Sequence, residues 1–391
     1  MRKLIITGWM FLFLAELKSI AQTDFSFVKV DSLSYSLYTK ADWRGLLRYG
    51  KEVIANQQDF LLLRLRLGYA AFMLNNYSEA IRHYEAVLKE DSYNSTAHYY
   101  IYWSRINLNQ PELAMAEIKF LAPDVLPVGK YKPVAVSGAE AELSFKNADS
   151  ASRGKPLYAR LSLGNRFSHS FHMQQSLATY QQTLNEPLFT AVTNSNKIKI
   201  NQIEYYNRIM TNLNRRLQFK AAYHYLYTPF NNFTYHNHLL MAGVKYHGSY
   251  FDVQADAMFG RLTDTSAKQY NFQLGLYPFG NLNLYSFSTA VIRQRNGSAF
   301  NFRQVLGAKL FKNGWIEGNI TLGRFQNLAE KDALYIYNSV DPNKSKAGVT
   351  GYYMFGNTIA QLGYTYEQRE LFGTTNTYNQ HSITGGLSWK F

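Results

Sequence analysis

"FDVQADAMFG" (Phe251–Gly260) alternates residue by residue, with Phe251, Val253, Ala255, Ala257 and Phe259 on one side and Asp252, Gln254 and Asp256 on the other. Period two is the spacing of a β-strand with one apolar and one polar face. The pattern recurs. Leu217, Phe219, Ala221, Tyr223, Tyr225 and Tyr227 oppose Arg216, Gln218, Lys220 and His224. Tyr270, Phe272, Leu274 and Leu276 oppose Asn271, Gln273 and Gly275, and Phe300, Phe302, Leu306, Ala308 and Leu310 oppose Asn301, Arg303 and Lys309. From Leu157 to Phe391, segments of about ten alternating residues follow one another, which is the pattern of a transmembrane β-barrel. A closed barrel is the β architecture that leaves no backbone group unpaired in lipid. A soluble β-sandwich shares the alternation but does not explain aromatics gathered at strand ends, as in "YHYLYTPF" (223–230) and "GLYPFG" (275–280). Rings that are half wet suit a membrane interface.

Turn lengths add a sidedness. Tight turns fall at 211–214, 247–249, 279–281, 312–314 and 355–357. Long ones fall at 169–196, 229–235, 262–268, 295–299, 328–346 and 370–378, and the two kinds alternate. Short turns face the periplasm in outer-membrane barrels and long loops face outside. The count is about twelve strands. It becomes fourteen, with the loop sides inverted, if "HMQQSLATY" (172–180) and "ALYIYNS" (333–339) both span.

The front of the chain has another period. Leu33, Leu67 and Ile101 are 34 apart, as are Trp43, Tyr77 and Pro111, Leu46, Ala80 and Ala114, and Val53, Val87 and Leu121. A 34-residue step is that of the tetratricopeptide repeat, a helix–turn–helix unit. In the middle copy, Leu67 and Gly68 lie in the first helix and Tyr77 opens the second. Ala80 is small enough for close helix approach, Tyr84 and Leu88 fill the gap, and Ala114 repeats Ala80 in the third copy. The fold expected is therefore α+β and multidomain: a periplasmic α-solenoid of helix pairs, then an antiparallel transmembrane β-barrel of about 12 strands, or 14 on the longer count. The boundaries expected are a signal peptide over 1–21, repeats over 22–122, a linker over 123–156 with room for a short strand, and a barrel over 157–391.

Charge supports the division. Residues 22–154 carry 15 Lys+Arg against 15 Asp+Glu, whereas 155–391 carry 23 against 11. The start, "MRKLIITGWMFLFLAELKSIAQ", has a basic end, an apolar run and small residues at Ser19 and Ala21, the layout of a secretory signal. No stretch reaches the roughly 18 apolar residues of a spanning helix. The chain has no cysteine, which excludes a disulfide framework.

The ending "YNQHSITGGLSWKF" (378–391) resembles the C-terminal strand of Gram-negative outer-membrane proteins. The resemblance implies that Trp389 and Phe391 form the signal read by the barrel-assembly machinery. The segment "YNSVDPNKSKAGVTGYYMFGNTIAQLGYTYEQRE" (337–370) with "YNQHS" resembles the YaiO-type outer-membrane barrel domain, which often follows tetratricopeptide repeats. A similar layout of repeats and barrel occurs in the outer-membrane exporters of cellulose and poly-N-acetylglucosamine, with longer helical arms and larger barrels.

No catalytic motif, cofactor signature or metal set stands out. His236 and His238 share one strand face without a third ligand, and "DPNKSKAG" (341–348) carries Lys346 where a calcium loop requires glycine. The expectation is no enzyme and no cofactor. Strand parity turns Arg160, Arg166, Arg216, Lys220, Lys245, Arg303, Lys309 and Lys390 inward, with Asp252, Asp256, Glu317 and Glu367. Two lumens fit that set: a salt-bridged plug, or a pore whose positive excess favours anions. Transport or secretion across the outer membrane, with the repeats recruiting a periplasmic protein, is the function expected; a membrane-anchored scaffold with a plugged, non-conducting barrel is the alternative, and an outer-membrane lipid-modifying enzyme ranks behind both. The partners expected are outer-membrane lipid, lipopolysaccharide, the barrel-assembly machinery and that periplasmic protein, and not nucleic acid.

Overall fold

The computed structural model describes residues 25–122, 125, 136–185, 197–230, 233–262, 265–295 and 297–391. The expected signal peptide lies outside them. Helices come first: α1 (Phe27–Thr39), α2 (Trp43–Ala55), α3 (Leu61–Met73), α4 (Tyr77–Glu90), α5 (Ser95–Asn107) and α6 (Pro111–Met115). The odd helices begin at 27, 61 and 95 and the even ones at 43, 77 and 111, a 34-residue step each time. Local chemistry repeats in step. Ala41, Asn75 and Asn109 turn the chain between paired helices with φ of 55°, 58° and 54°. Asp42, Asn76 and Asn94 cap the helices that follow them by accepting from the backbone N–H of Gly45, Glu79 and Ala97. Between the pairs, Ala71, Ala80, Tyr84, Val87, Leu88, Ala97 and Ile101 form one buried cluster, and Val30, Leu46, Val53, Leu63, Leu67 and Ala70 another.

Strands follow: β1 (Gly138–Ala148), β2 (Leu157–Arg166), β3 (Phe171–Asn185), β4 (Lys197–Asn212), β5 (Leu217–Phe230), β6 (Phe233–His247), β7 (Phe251–Leu262), β8 (Thr265–Leu276), β9 (Leu284–Gln294), β10 (Ser298–Phe311) and β11 (Gly314–Phe325). A two-stranded hairpin, β12 (Ala329–Glu330) and β13 (Tyr335–Ile336), precedes β14 (Asn343–Phe355), β15 (Thr358–Glu370) and β16 (Thr377–Lys390). All except β12 and β13 join in one closed antiparallel barrel in which β16 returns to β1. Fourteen strands form the wall.

The two strands beyond twelve are β3, which contains "HMQQSLATY", and β1, which lies inside the span expected to be a linker. "ALYIYNS" does not span. It folds into the lumen as part of the short hairpin, because its alternating Tyr335, Ile336 and Tyr337 meet lumen side chains instead of lipid. Both added strands precede β4, so the loop sides from β4 onward stay as the twelve-strand count has them, and the inversion tied to fourteen strands does not occur. The expected long loop 169–196 resolves into a tight turn at 167–170, the strand β3 and the segment 186–196.

The outer wall is apolar. Leu161, Leu177, Leu240, Phe272, Leu306, Leu362 and Leu387 are each more than half exposed. Such a continuous apolar girdle is what lipid requires and water opposes. The inner wall is polar: Arg160, Gln202, Glu204, Lys220, His224, Asp252, Asp256, Asn301 and Glu367 are all buried.

Candidate functional site: a plugged lumen capped by helices

The chain between β11 and β14, residues 326–342, turns inward and fills the barrel. Asn327, Lys331, Asp332 and Ala333 have φ between 52° and 65°, so the hairpin tip is wound left-handed. Asn and Asp tolerate that region better than most residues. One side of the tip is apolar: Ala329, Ala333, Leu334 and Ile336 pack on Leu226, Leu239, Met241, Met258 and Leu262 of the wall. The other side is ionic. Asp332 accepts from Arg208 at 2.7 Å, Lys220 at 3.0 Å and Gln254 at 2.8 Å. Glu330 accepts from Lys346 at 3.1 Å and lies 3.9 Å from Arg303. The Tyr335 hydroxyl donates to Glu142 at 2.6 Å and accepts from Arg160 at 3.0 Å. Backbone joins in: Tyr206 donates to the Asp332 carbonyl at 2.9 Å, and the Gln269 amide both donates to and accepts from Ala329. At the same end of the barrel, Asp341 ties three loops together. It takes Arg153 at 2.8 Å, the Tyr378 hydroxyl at 2.7 Å and the Phe372 N–H at 2.9 Å.

The opposite mouth meets the helices. The Ser78 N–H donates to the Gly280 carbonyl at 3.0 Å, and Asn281 donates to the Asn75 carbonyl at 2.9 Å. Tyr250 donates to Glu79 at 2.9 Å and Asn212 to the Glu112 carbonyl at 2.6 Å. Arg216 pairs with Glu85, which also lies 3.7 Å from the buried Arg105. Arg105 in turn donates to the Arg215 carbonyl at 2.6 Å. Lys390 reaches Asn109 at 3.4 Å. Gly280 has a φ of 63°, and a Cβ there would run into Asn76, so glycine is required at that contact.

Between plug and helices lies a cavity of about 520 Å³, reached by Arg160, Lys220, Lys245, Arg303, Lys331 and Asp256 among others, with Asn109 of the helical domain on its border. A second space of about 160 Å³ borders the other flank of the plug, beside Lys146, Lys346, Glu204, Glu367 and Arg369.

The residues singled out from sequence fall into four places. Arg160, Lys220, Lys245, Arg303, Asp252, Asp256 and Glu317 do line the lumen: Lys245 is 3.0 Å from Asp252, Asp256 accepts from Gln254 and Asn271, and Glu317 accepts from Tyr285 and Tyr352. Arg166 and Arg216 have inward parity but sit at strand ends, so they leave the lumen for the helices: Arg166 lies 2.6 Å from the Met115 sulfur and Arg216 meets Glu85. Lys309 is exposed at the same rim, over the Trp315 ring at 5.1 Å. Leu67, Gly68, Ala80, Tyr84, Leu88 and Ala114 are buried in the helical core, and Tyr77 packs edge-on to Phe72. Trp389 and Phe391 face outward, rings stacked 6.2 Å apart. His236 and His238 also face outward, and each ring accepts or donates one bond with a tyrosine hydroxyl, Tyr225 and Tyr223 respectively. The plug's own Glu330 and Asp332 escaped sequence reasoning. The signal available was three charges, Glu330-Lys331-Asp332, set inside an apolar run where a solvated loop would have none of its greasy flanks.

No family model matches the chain, and no curated protein matches it. Solved structures are similar in shape. The Pseudomonas putida toluene transporter TodX is 9% identical over 67% of this chain and 91% of its own, with a TM-score of 0.46. A Pseudomonas aeruginosa FadL homologue is 9% identical over 72% and 92%, at 0.45. A bacterial polysaccharide outer membrane secretin is 8% identical over 66% and 99%, at 0.41. Likeness at that level does not reach beyond the shape of a closed barrel.

Proposed function

We propose that the protein is an outer-membrane transport component whose lumen is closed by a retractable plug and whose helical domain, in the periplasm, recruits a partner. The observation that carries this reading is the chemistry of the plug. It is attached to the wall through ion pairs and hydrogen bonds, a set of contacts that can be exchanged for solvent, and cavities of about 520 and 160 Å³ flank it. A dry hydrophobic core would favour permanent closure; the ionic half of this lining does not. The periplasmic place of the helices is supported by the tight turns at the end they cap, since outer-membrane barrels keep short turns inside. Recruitment is supported by the repeat itself, because 34-residue helix pairs stack into a superhelix with a concave face suited to a peptide or helix.

The experiment is conductance across planar bilayers. Intact protein should conduct poorly, and a variant lacking 329–336 should open a steady, anion-preferring path. If the deleted barrel folds and stays closed, the conduit reading fails and the scaffold reading, an anchor for the helices, takes its place.

A further inference from the structure

On the outward face of β4 to β8, at the end away from the helices, the structure assigns a binding site for the phosphorylated head of a membrane lipid, with Arg261 and Lys268 at its centre. The outward positions of β7 read Phe251, Val253, Ala255, Ala257 and Phe259, and the next is Arg261. Those of β8 read Leu276, Leu274, Phe272 and Tyr270, and the next is Lys268. Each cation thus stands one step beyond the apolar run, at headgroup height. Cross-strand register sets them together: His238 is opposite Arg261, Ser266 opposite Arg261, and Phe259 opposite Lys268. Arg261 and Lys268 are therefore diagonal neighbours, about 7–8 Å apart at the backbone, within reach of one phosphate. Both are exposed, and neither has an ion pair or hydrogen bond among the described residues. The outward positions of these five strands hold no Asp or Glu. The contrast on the other wall is plain, where exposed Arg324 and Lys344 share Glu370.

Below the cations, Phe259 and Tyr270 meet edge-on at 6.1 Å, with Leu240 and Phe272 beside them, all toward lipid. A soluble anion would gain from the charges alone. A lipid gains from both, with acyl chain on rings and phosphate in the charge-assisted grip of guanidinium and ammonium. That makes the occupant a lipid of the leaflet at this end.

The inference rests on the proposed orientation only for which leaflet supplies the lipid. The test is titration of the full chain in detergent with a fluorescent bisphosphorylated glycolipid and with its phosphatase-treated form. The intact protein should prefer the phosphorylated form, and R261S/K268S should bind it about tenfold more weakly. K312S, at the exposed turn on the opposite rim, should bind as the intact protein does. Heat-shifted gel mobility verifies that each variant is folded. Equal binding by R261S/K268S, no preference for the phosphorylated form, or full displacement by excess inorganic phosphate would each overturn the site. Detergent binding is blind to orientation, so a wrong orientation shows only in surface labelling and leaves this result intact.

Discussion

Asp332→Asn isolates the charge that holds the plug. Asparagine keeps the side-chain volume and tolerates the φ of 57° at this position, so the backbone has no reason to move. What changes is electrostatic: Arg208 and Lys220, at 2.7 and 3.0 Å, lose their shared anion inside the lumen. Removing one partner of a buried pair costs about 3–5 kcal/mol because the other charge stays uncompensated. Arg208 retains a fifth of its side-chain exposure and a second acceptor in Gln174, which places the cost at the low end, about 3 kcal/mol. That free energy bears on the seated plug and much less on the wall, whose strand pairing is untouched. It corresponds to about a hundredfold rise in the ratio of withdrawn to seated plug. Single-channel recording should therefore show open events far more often than in the intact protein, and limited trypsin should cut after Lys331 sooner. A variant that stays as closed and as protease-resistant as the parent would refute the idea that Asp332 retains the plug.

Ala80→Leu, at a fully buried helix contact beside Tyr84, should overpack α3 against α4 and cost about 1–3 kcal/mol, read as a lower melting temperature of the helical signal. Glu79 gives the helical domain an acid limit through partners on its own helix, α4. Burial alone would raise it, but the bond and charge of His83 and the charge of Arg82 outweigh burial and hold it at about 2 against an ordinary 4.5. Its stabilisation is complete above 4.5 and disappears as pH falls toward 2; burial lowers His83, which loses stability over the window below 6.5 in the same direction. The melting temperature of the helical signal should therefore fall from pH 7 to pH 3, and a Glu79→Gln variant should lose the part of that fall below pH 4.5; an unchanged profile in that variant would deny Glu79 that role. The chain has no cysteine, so Thr374→Cys and Asn313→Cys report the two ends cleanly. A bulky impermeant maleimide should label the first in intact cells and the second only after the outer membrane is opened; the reverse would invert the proposed orientation.

The wall was legible wherever lipid demanded a strong outward contrast. β7 alternates Phe251 through Phe259 with acids and an amide, and parity alone gives both faces correctly. β3 hides for the opposite reason: its outward set is Met173, Gln175, Leu177, Thr179 and Gln181, too polar in alternate places to look lipid-facing. β1 hides behind small residues, since Ala139 and Ala141 carry little apolar signal beside Glu140 and Glu142. The helical pairs were legible because the same left-handed turn recurs every 34 residues, at Ala41, Asn75 and Asn109, and the second and third copies carry a small residue, Ala80 and Ala114, at the same place. The candidate site was legible in its wall half alone. Parity can say that Lys220 points inward, but only the path of 326–342 decides that it meets Asp332, and that path is set by contacts more than a hundred residues apart in the chain.

The seam between β1 and β16 has a consequence for how the protein is made. Ala139 pairs with Trp389 and Phe145 with Ile383, so the two edges of the sheet are separated by nearly the whole barrel sequence. Until β16 exists, every intermediate is an open sheet with two rows of unsatisfied backbone groups, a template for pairing with any other strand. Long-range closure is also the slow kind, because the loop must be brought round before any contact rewards it. A chain cut short within the barrel before residue 377 lacks the strand that pairs with β1 and keeps both sheet edges open to other strands.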